Sequence, residues 1–170
     1  MNTIRLAHAN DLARIWDLVQ KAVHLMNERG NEQWGADYPT RDLYASDIEK
    51  NELWCVVDEF DTVMGVAAIF SRHEPDYAPV PFRKPEPAVS MHRVAVDPDF
   101  ENRGVASALF SQFENIGHKF GVDALRIDTY HKNERMLALI QKHGFSYVGD
   151  INLHGRTLPY HCFEKLLKED

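Results

Sequence analysis

The segment with the clearest chemical potential is Arg103-Gly104-Val105-Ala106-Ser107, where small residues follow a strand-and-turn pattern and open a run of helical periodicity. The first amides of a helix lack intrahelical partners and, with the helix dipole, form a ready anion site. Gly104 and Ala106 carry nothing beyond Cβ, so a ligand could approach the backbone, and Arg103 adds a cation at the rim. A pyrophosphate suits such a site. The same small residues would also permit close helix–sheet packing, and the segment alone leaves both readings open.

Other reactive residue types give less. Cys55 and Cys162 sit in apolar, strand-like runs and read as buried reduced thiols. CxxC, HExxH and GxxxxGK[ST] patterns are missing, and the nine histidines are dispersed without ligand spacing, so no metal site is expected. No Cys/His or Ser/His/Asp spacing suggests a covalent nucleophile. Nineteen Lys+Arg against 26 Asp+Glu give a formal charge of −7 without a basic stripe, which argues against a nucleic-acid partner. The longest uninterrupted apolar run, Val66 to Phe70, falls far short of the ~20 residues of a membrane span, and no leader-like opening is visible. A cytoplasmic protein is expected. Whether it is a homodimer stays open.

These residues need elements to hold them. With 170 residues, 44% hydrophobic and 26% charged, the chain reads as one globular domain, 1–170. Ile4 to Ala7 reads as a short strand. Asn10 could cap an amphipathic helix over 11–27, which Gly30 stops. A polar and aromatic loop with Gln33, Trp34, Asp37 and Tyr38 leads to Thr40, the cap of a second helix ending near Asn51. Leu53 to Val57 and Val63 to Phe70 are strands joined by a hairpin turn. Five of the eight prolines then fall between Pro75 and Pro87, marking a surface loop.

In the strand from Ala88 to Val96, Val89 and Met91 share one face, whereas Val94 and Val96 have the opposite parity. Side chains alternate strictly along a strand, so the slip near His92–Arg93 suggests a β-bulge, with burial on both faces as the alternative. After the turn Asp97 to Phe100 comes a helix with Ala106, Leu109, Phe110, Phe113, Gly117 and Phe120 on one face, stopped by Gly121. Leu125 to Thr129 is a strand, Asn133 to His143 a helix, and Phe145–Leu153 with Leu158–Glu164 a C-terminal hairpin. The order β-α-α-β-β-β-α-β-α-β-β describes an α/β (α+β) chain. Its sheet is mostly antiparallel, flanked by helices, and one strand–helix–strand crossover makes two neighbours parallel.

Residues 88–149 resemble the core of the GNAT (GCN5-related N-acetyltransferase) superfamily, and the whole chain follows that family's element order. The family's phosphate motif, Gln/Arg-x-x-Gly-x-Gly/Ala, matches Glu101-Asn102-Arg103-Gly104-Val105-Ala106 except at Glu101. A carboxylate there would repel pyrophosphate if it pointed inward, so its side chain is expected to face solvent. The run from Asn133 through Met136, Leu139 and Lys142 to Gly144-Phe145 resembles the family's second cofactor-binding segment. The resemblance implies acetyl-CoA or another acyl-CoA as the acyl donor. Arg103, Gly104, Val105, Ala106 and Ser107 would cradle its pyrophosphate, and the backbone of Val94 and Val96 would hold the pantetheine arm. Asn133 would contact the pantetheine region or, equally, cap its helix.

The resemblance further implies transfer of an acetyl group to a primary amine of a small molecule or peptide, by direct attack on the thioester. Alkylamines with pKa near 10 are mostly protonated at neutral pH, so a base must remove a proton. His92 is the first choice by residue type and by its position at the bulge, with Glu86 and Asp128 as alternatives. Many family members carry a tyrosine acid four residues before the glycine. This chain has Ile140 there, which leaves Tyr130 as a substitute acid. Trp34, Tyr38 and the Pro75–Pro87 loop are candidates for the acceptor site. The departures at Glu101 and Ile140 also fit a non-catalytic acyl-CoA-binding sensor or interaction module.

Overall fold

The computed structural model describes residues 2–168. The strands are β1 (Thr3–Leu6), β2 (Leu53–Val57), β3 (Val63–Phe70), β4 (Val89–Val96), β5 (Ala124–Tyr130), β6 (Ser146–Ile151) and β7 (Tyr160–Leu166). The helices are α1 (Leu12–Glu28), α2 (Arg41–Glu49), α3 (Val105–Phe120) and α4 (Glu134–Lys142). The strands form one seven-stranded sheet in the order β1-β2-β3-β4-β5-β7-β6. Every neighbouring pair is antiparallel except β4 and β5. Ile15, Leu18 and Val19 of α1 join Val66, Ala68 and Ala95 in a core on one face, while Leu109, Phe110 and Phe113 of α3 pack with Ala67, Val89 and Met91 on the other. Thr40 caps α2 by accepting from the Leu43 amide, as its residue type suggests. Asn10 does not cap α1. It lies in a 3-10 turn at Ala9–Asp11, where the Asp11 carboxylate accepts from the His8 amide at 2.7 Å and binds Arg5.

Two irregularities in β4 make the site. Against β3, His92 lies opposite Ala68 but Ala95 lies opposite Val66, so β4 spends three residues where β3 spends two. Arg93, with φ of 53°, sits within this bulge. Val94 and Val96 therefore pack toward the same side as Val89 and Met91, while Ala95 faces α1. The second irregularity is a splay. β4 and β5 pair only at Val89–Leu125 and Ser90–Arg126, so beyond Ser90 the β4 edge carries no β5 partner. A cleft opens there, floored by the sheet edge.

Candidate functional site

The turn between β4 and α3 is locked before any ligand arrives. Asp97 is buried, and its carboxylate accepts from Arg14 and Lys21 of α1 and from the Asp99 amide. Burial alone would raise its pKa, but these donors hold it below the usual carboxylate range. A Cβ on Gly65 would meet Val105 Cγ1 at 2.5 Å, so the glycine lets the first residue of α3 settle on β3. Gly104 caps α3 at φ of 76°, in the left-handed region that other residues enter at a cost. Val105 is buried in the core and offers only its backbone, Ala106 lines the cleft, and the Ser107 hydroxyl lies 3.4 Å from His143 Nε2. Arg103 is exposed, its guanidinium 5.4 Å from the Phe100 ring, and its carbonyl accepts from Asn2.

This cleft has a volume of about 470 Å³. Val94 to Val96 line it on the sheet side, the C-terminal half of α1 with Trp34 on a second, and α4 on a third. Asn133 caps α4, its Oδ1 accepting from the Met136 amide, and the residue also lines the cleft. Its Nδ2 donates to Gln33 Oε1 at 2.6 Å, tying α4 to the loop after α1. Glu101 departs from expectation. It does not simply face solvent: it lines the cleft, gripped by Arg29 at 3.2 and 3.4 Å and by Arg135 at 2.8 Å. Two guanidiniums make the inward orientation affordable.

A second cavity of about 390 Å³ lies on the other side of the bulge. Met26, Trp34, Val94, Asn133 and Met136 line both cavities, so the two meet beside the bulged strand. His92 projects into the second one, stacked 4.9 Å from the Phe70 ring and 6.1 Å from Tyr77. Its Nδ1 is 4.0 Å from Asp128 and its Nε2 3.8 Å from Glu74, and Nε2 is buried without a hydrogen-bond partner. Burial, with the nearby Arg93 and Arg72 charges, pushes His92 down to about 3, so the ring is neutral at pH 7. Asp128 moves the other way. Burial pushes it up to about 6, even though it accepts a hydrogen bond of 2.5 Å from the Tyr77 hydroxyl. Burial likewise raises Glu74.

Arg93 forms a bidentate bond to Asp47 of α2 at 2.7 and 2.8 Å, with both side chains largely buried, so the bulge residue is pinned to the helix beneath the cavity. The structure thus brings together His92, Asp128, Val94 and Asn133, with Trp34 and Tyr38 on the walls. Two other candidates lie elsewhere. Tyr130 is fully buried, donates to Glu32 at 2.9 Å and lines neither cavity. Glu86 binds His73 on the proline loop and lines neither. Sequence reasoning passed over Glu74, Tyr77, Asp47 and Arg93 as individuals. The proline loop was the only signal for the first two, and charged neighbours of the bulge the only one for the others. Among the described residues no cluster of three or more His, Cys, Asp or Glu is placed to hold a metal, and no helix is long and apolar enough to cross a membrane.

Residues 17–145 match the model of the acetyltransferase (GNAT) family. The chain belongs to this family. A GNAT acetyltransferase from Streptococcus agalactiae superimposes with a TM-score of 0.82 at 26% identity, over 99% of this chain and 96% of that one. The yncA protein from Salmonella typhimurium, determined with its cofactor acetyl-CoA, gives 0.72 at 20% identity over 99% and 95%. The ribosomal-protein-S18-alanine N-acetyltransferase from Escherichia coli gives 0.71 at 18% over 100% and 96%. No curated protein matches the sequence.

The cleft fits the coenzyme that GNAT proteins use. Its α3 end offers unpartnered first-turn amides behind Gly104 and Ala106, and its floor is a strand edge left unpaired by the splay. An extended arm can lie along that edge as a further strand would, with its phosphates at α3. Ile140, at the position of the tyrosine found in many GNAT members, is fully buried in the core on the α3 side. It supplies no hydroxyl to the junction of the cavities.

Proposed function

We propose that this chain, acting as one domain in the cytoplasm, is an N-acetyltransferase that moves an acetyl group from acetyl-CoA to a primary amine. The reading is carried by one observation: a cleft that ends at the N-terminus of α3 meets, at the bulge of β4, a cavity whose wall holds a buried carboxylate raised to about 6. Arg103 to Ser107 bind the pyrophosphate, and the edge of β4 at Val94 and Val96 binds the pantetheine arm. Bound there, acetyl-CoA supplies an acetyl group activated as a thioester.

The second cavity receives the amine. Asp47 is neutralised by Arg93, and Arg72 by Glu52 at 2.7 Å, which leaves three carboxylates on the cavity lining, Asp128, Glu74 and Asp76, against one lysine, Lys50. This balance favours an acceptor that arrives as an ammonium. The neutral His92 ring adds no competing charge to the wall, and the Asp128 carboxylate takes the proton. The neutral nitrogen attacks the carbonyl carbon directly, forming the C–N bond as the C–S bond breaks, and the second proton leaves the acylated nitrogen for solvent. A leaving thiol of Cys-like acidity, about 8.5, departs as thiolate without a tyrosine acid, consistent with Ile140 in that position.

The test is an acceptor screen. Purified protein with acetyl-CoA and a panel of primary amines is expected to release free coenzyme thiol, with the acetylated amine identified by mass spectrometry. Tight acetyl-CoA binding without turnover on any amine would favour the sensor alternative.

A further inference from the structure

At its α3 end the cleft is closed by three side chains from three separate elements. Arg29 is the C-cap of α1, Glu101 precedes α3, and Arg135 lies in the first turn of α4. Glu101 stands at the motif position where the family usually has Gln or Arg, and it binds both guanidiniums. The cluster keeps one net positive charge and sits next to the partial positive charge of the α3 N-terminus. Each guanidinium presents five N–H donors, of which Arg29 spends two and Arg135 one on Glu101. All three residues line the cleft, and the two arginines are about half exposed. The lysine that lines this cleft, Lys132, is held by Glu32 at 3.3 Å.

We propose that Arg29 and Arg135 form a phosphate clamp for the coenzyme, and that Glu101 is the placeholder that keeps them assembled until a phosphate takes over their free donors. The inference rests on the acetyl-CoA reading above. It accounts for the acidic residue in a phosphate-binding motif: the side-chain N–H donors that Gln or Arg usually brings to this position are here supplied from α1 and α4 by Arg29 and Arg135. A structural tie alone would need neither free donors nor a place in the cleft wall.

Titration calorimetry with acetyl-CoA tests this without any acceptor. Arg29→Ala and Arg135→Ala are each expected to weaken binding about 5- to 30-fold, the range of a partly exposed charge-assisted bond. The Lys variants at both positions are expected to recover part of the loss. Glu101→Gln is expected to bind at least as tightly as wild type, because it leaves the cations without a competing carboxylate. Repeating the titrations with dephospho-acetyl-CoA locates the clamp: a persisting loss assigns it to the pyrophosphate, a vanishing loss to the 3′-phosphate, and either upholds it. Wild-type affinity in both Ala variants, or a loss in Glu101→Gln as large as theirs, overturns the clamp alone. A wild-type protein that does not bind acetyl-CoA overturns the cofactor reading and the clamp with it.

Discussion

The Asp128 carboxylate faces His92 Nδ1 at 4.0 Å, and burial drives the two groups in opposite directions, to about 6 and about 3. Residue type alone would make the imidazole the base. In this cavity the imidazole is the neutral group and the carboxylate the one that titrates close to working pH, where a general base is most effective.

The pH profile separates the two. With Asp128 as base, kcat/KM is expected to rise through a limb near pH 6, and Asp128→Asn should cost about 10²–10⁴-fold and abolish that limb. His92→Ala is expected to lose less and to keep the limb. A profile flat from pH 5 upward, with the larger loss in His92→Ala, would return the role to the histidine.

Ala106→Glu sets stability against binding. A carboxylate in the first turn of α3 favours the helix dipole by about 0.3–1 kcal/mol, so the thermal midpoint of the free protein should hold or rise. The same charge in the cleft should cost acetyl-CoA at least tenfold in affinity by calorimetry, and the stabilisation by added ligand should shrink. This is a cleaner probe than a substitution at Gly104, where φ of 76° strains any side chain although a Cβ would meet nothing within 4 Å.

Asp47→Ala should be the costly change at the bulge. It leaves the buried Arg93 guanidinium without its bidentate partner, and breaking such a pair typically costs about 3–5 kcal/mol. Urea unfolding should show that loss. Replacing both members with apolar residues of similar volume should recover most of it; helix propensity cannot explain the loss, because Ala is a better helix former than Asp.

What could be read from the sequence follows from how far apart the partners are. The bulge was legible because parity is local: Val89 and Met91 against Val94 and Val96 is visible within one strand. The helix starting at Val105 and its glycine cap were legible for the same reason. The orientation of Glu101 was not, since its partners Arg29 and Arg135 are 72 and 34 residues away and no local rule links them. The ranking of bases placed Asp128 behind His92 by residue type, since neither its burial nor its bond from Tyr77, 51 residues distant, is visible to a local rule. Ile140 reads locally as a missing tyrosine, and only the packed structure shows that it fills core instead.

The raised carboxyl also carries a stability signature. Asp128 ordinarily titrates at 3.8 and here at about 6, so between these values the folded state holds a proton that the unfolded chain has released. Stability from this group is therefore full below about pH 4 and is lost as pH rises through 6. His92 acts oppositely: lowered from 6.5 to about 3, it contributes stability above pH 6.5 that is lost as pH falls toward 3. Between pH 4 and 6 the two slopes offset each other in the wild type. Asp128→Asn keeps the acceptor for Tyr77 but removes the ionisation, so at pH 7 the variant should be more stable by up to on the order of 2–3 kcal/mol. It should also show a steeper loss on acidification from 6 to 4, because the histidine slope is then unopposed. Urea midpoints measured at pH 4, 5, 6 and 7 check both parts. A variant that is less stable at pH 7, or whose stability changes with pH just as the wild type's does, would mean that Asp128 does not titrate near neutrality, and would remove the basis for its role as the base.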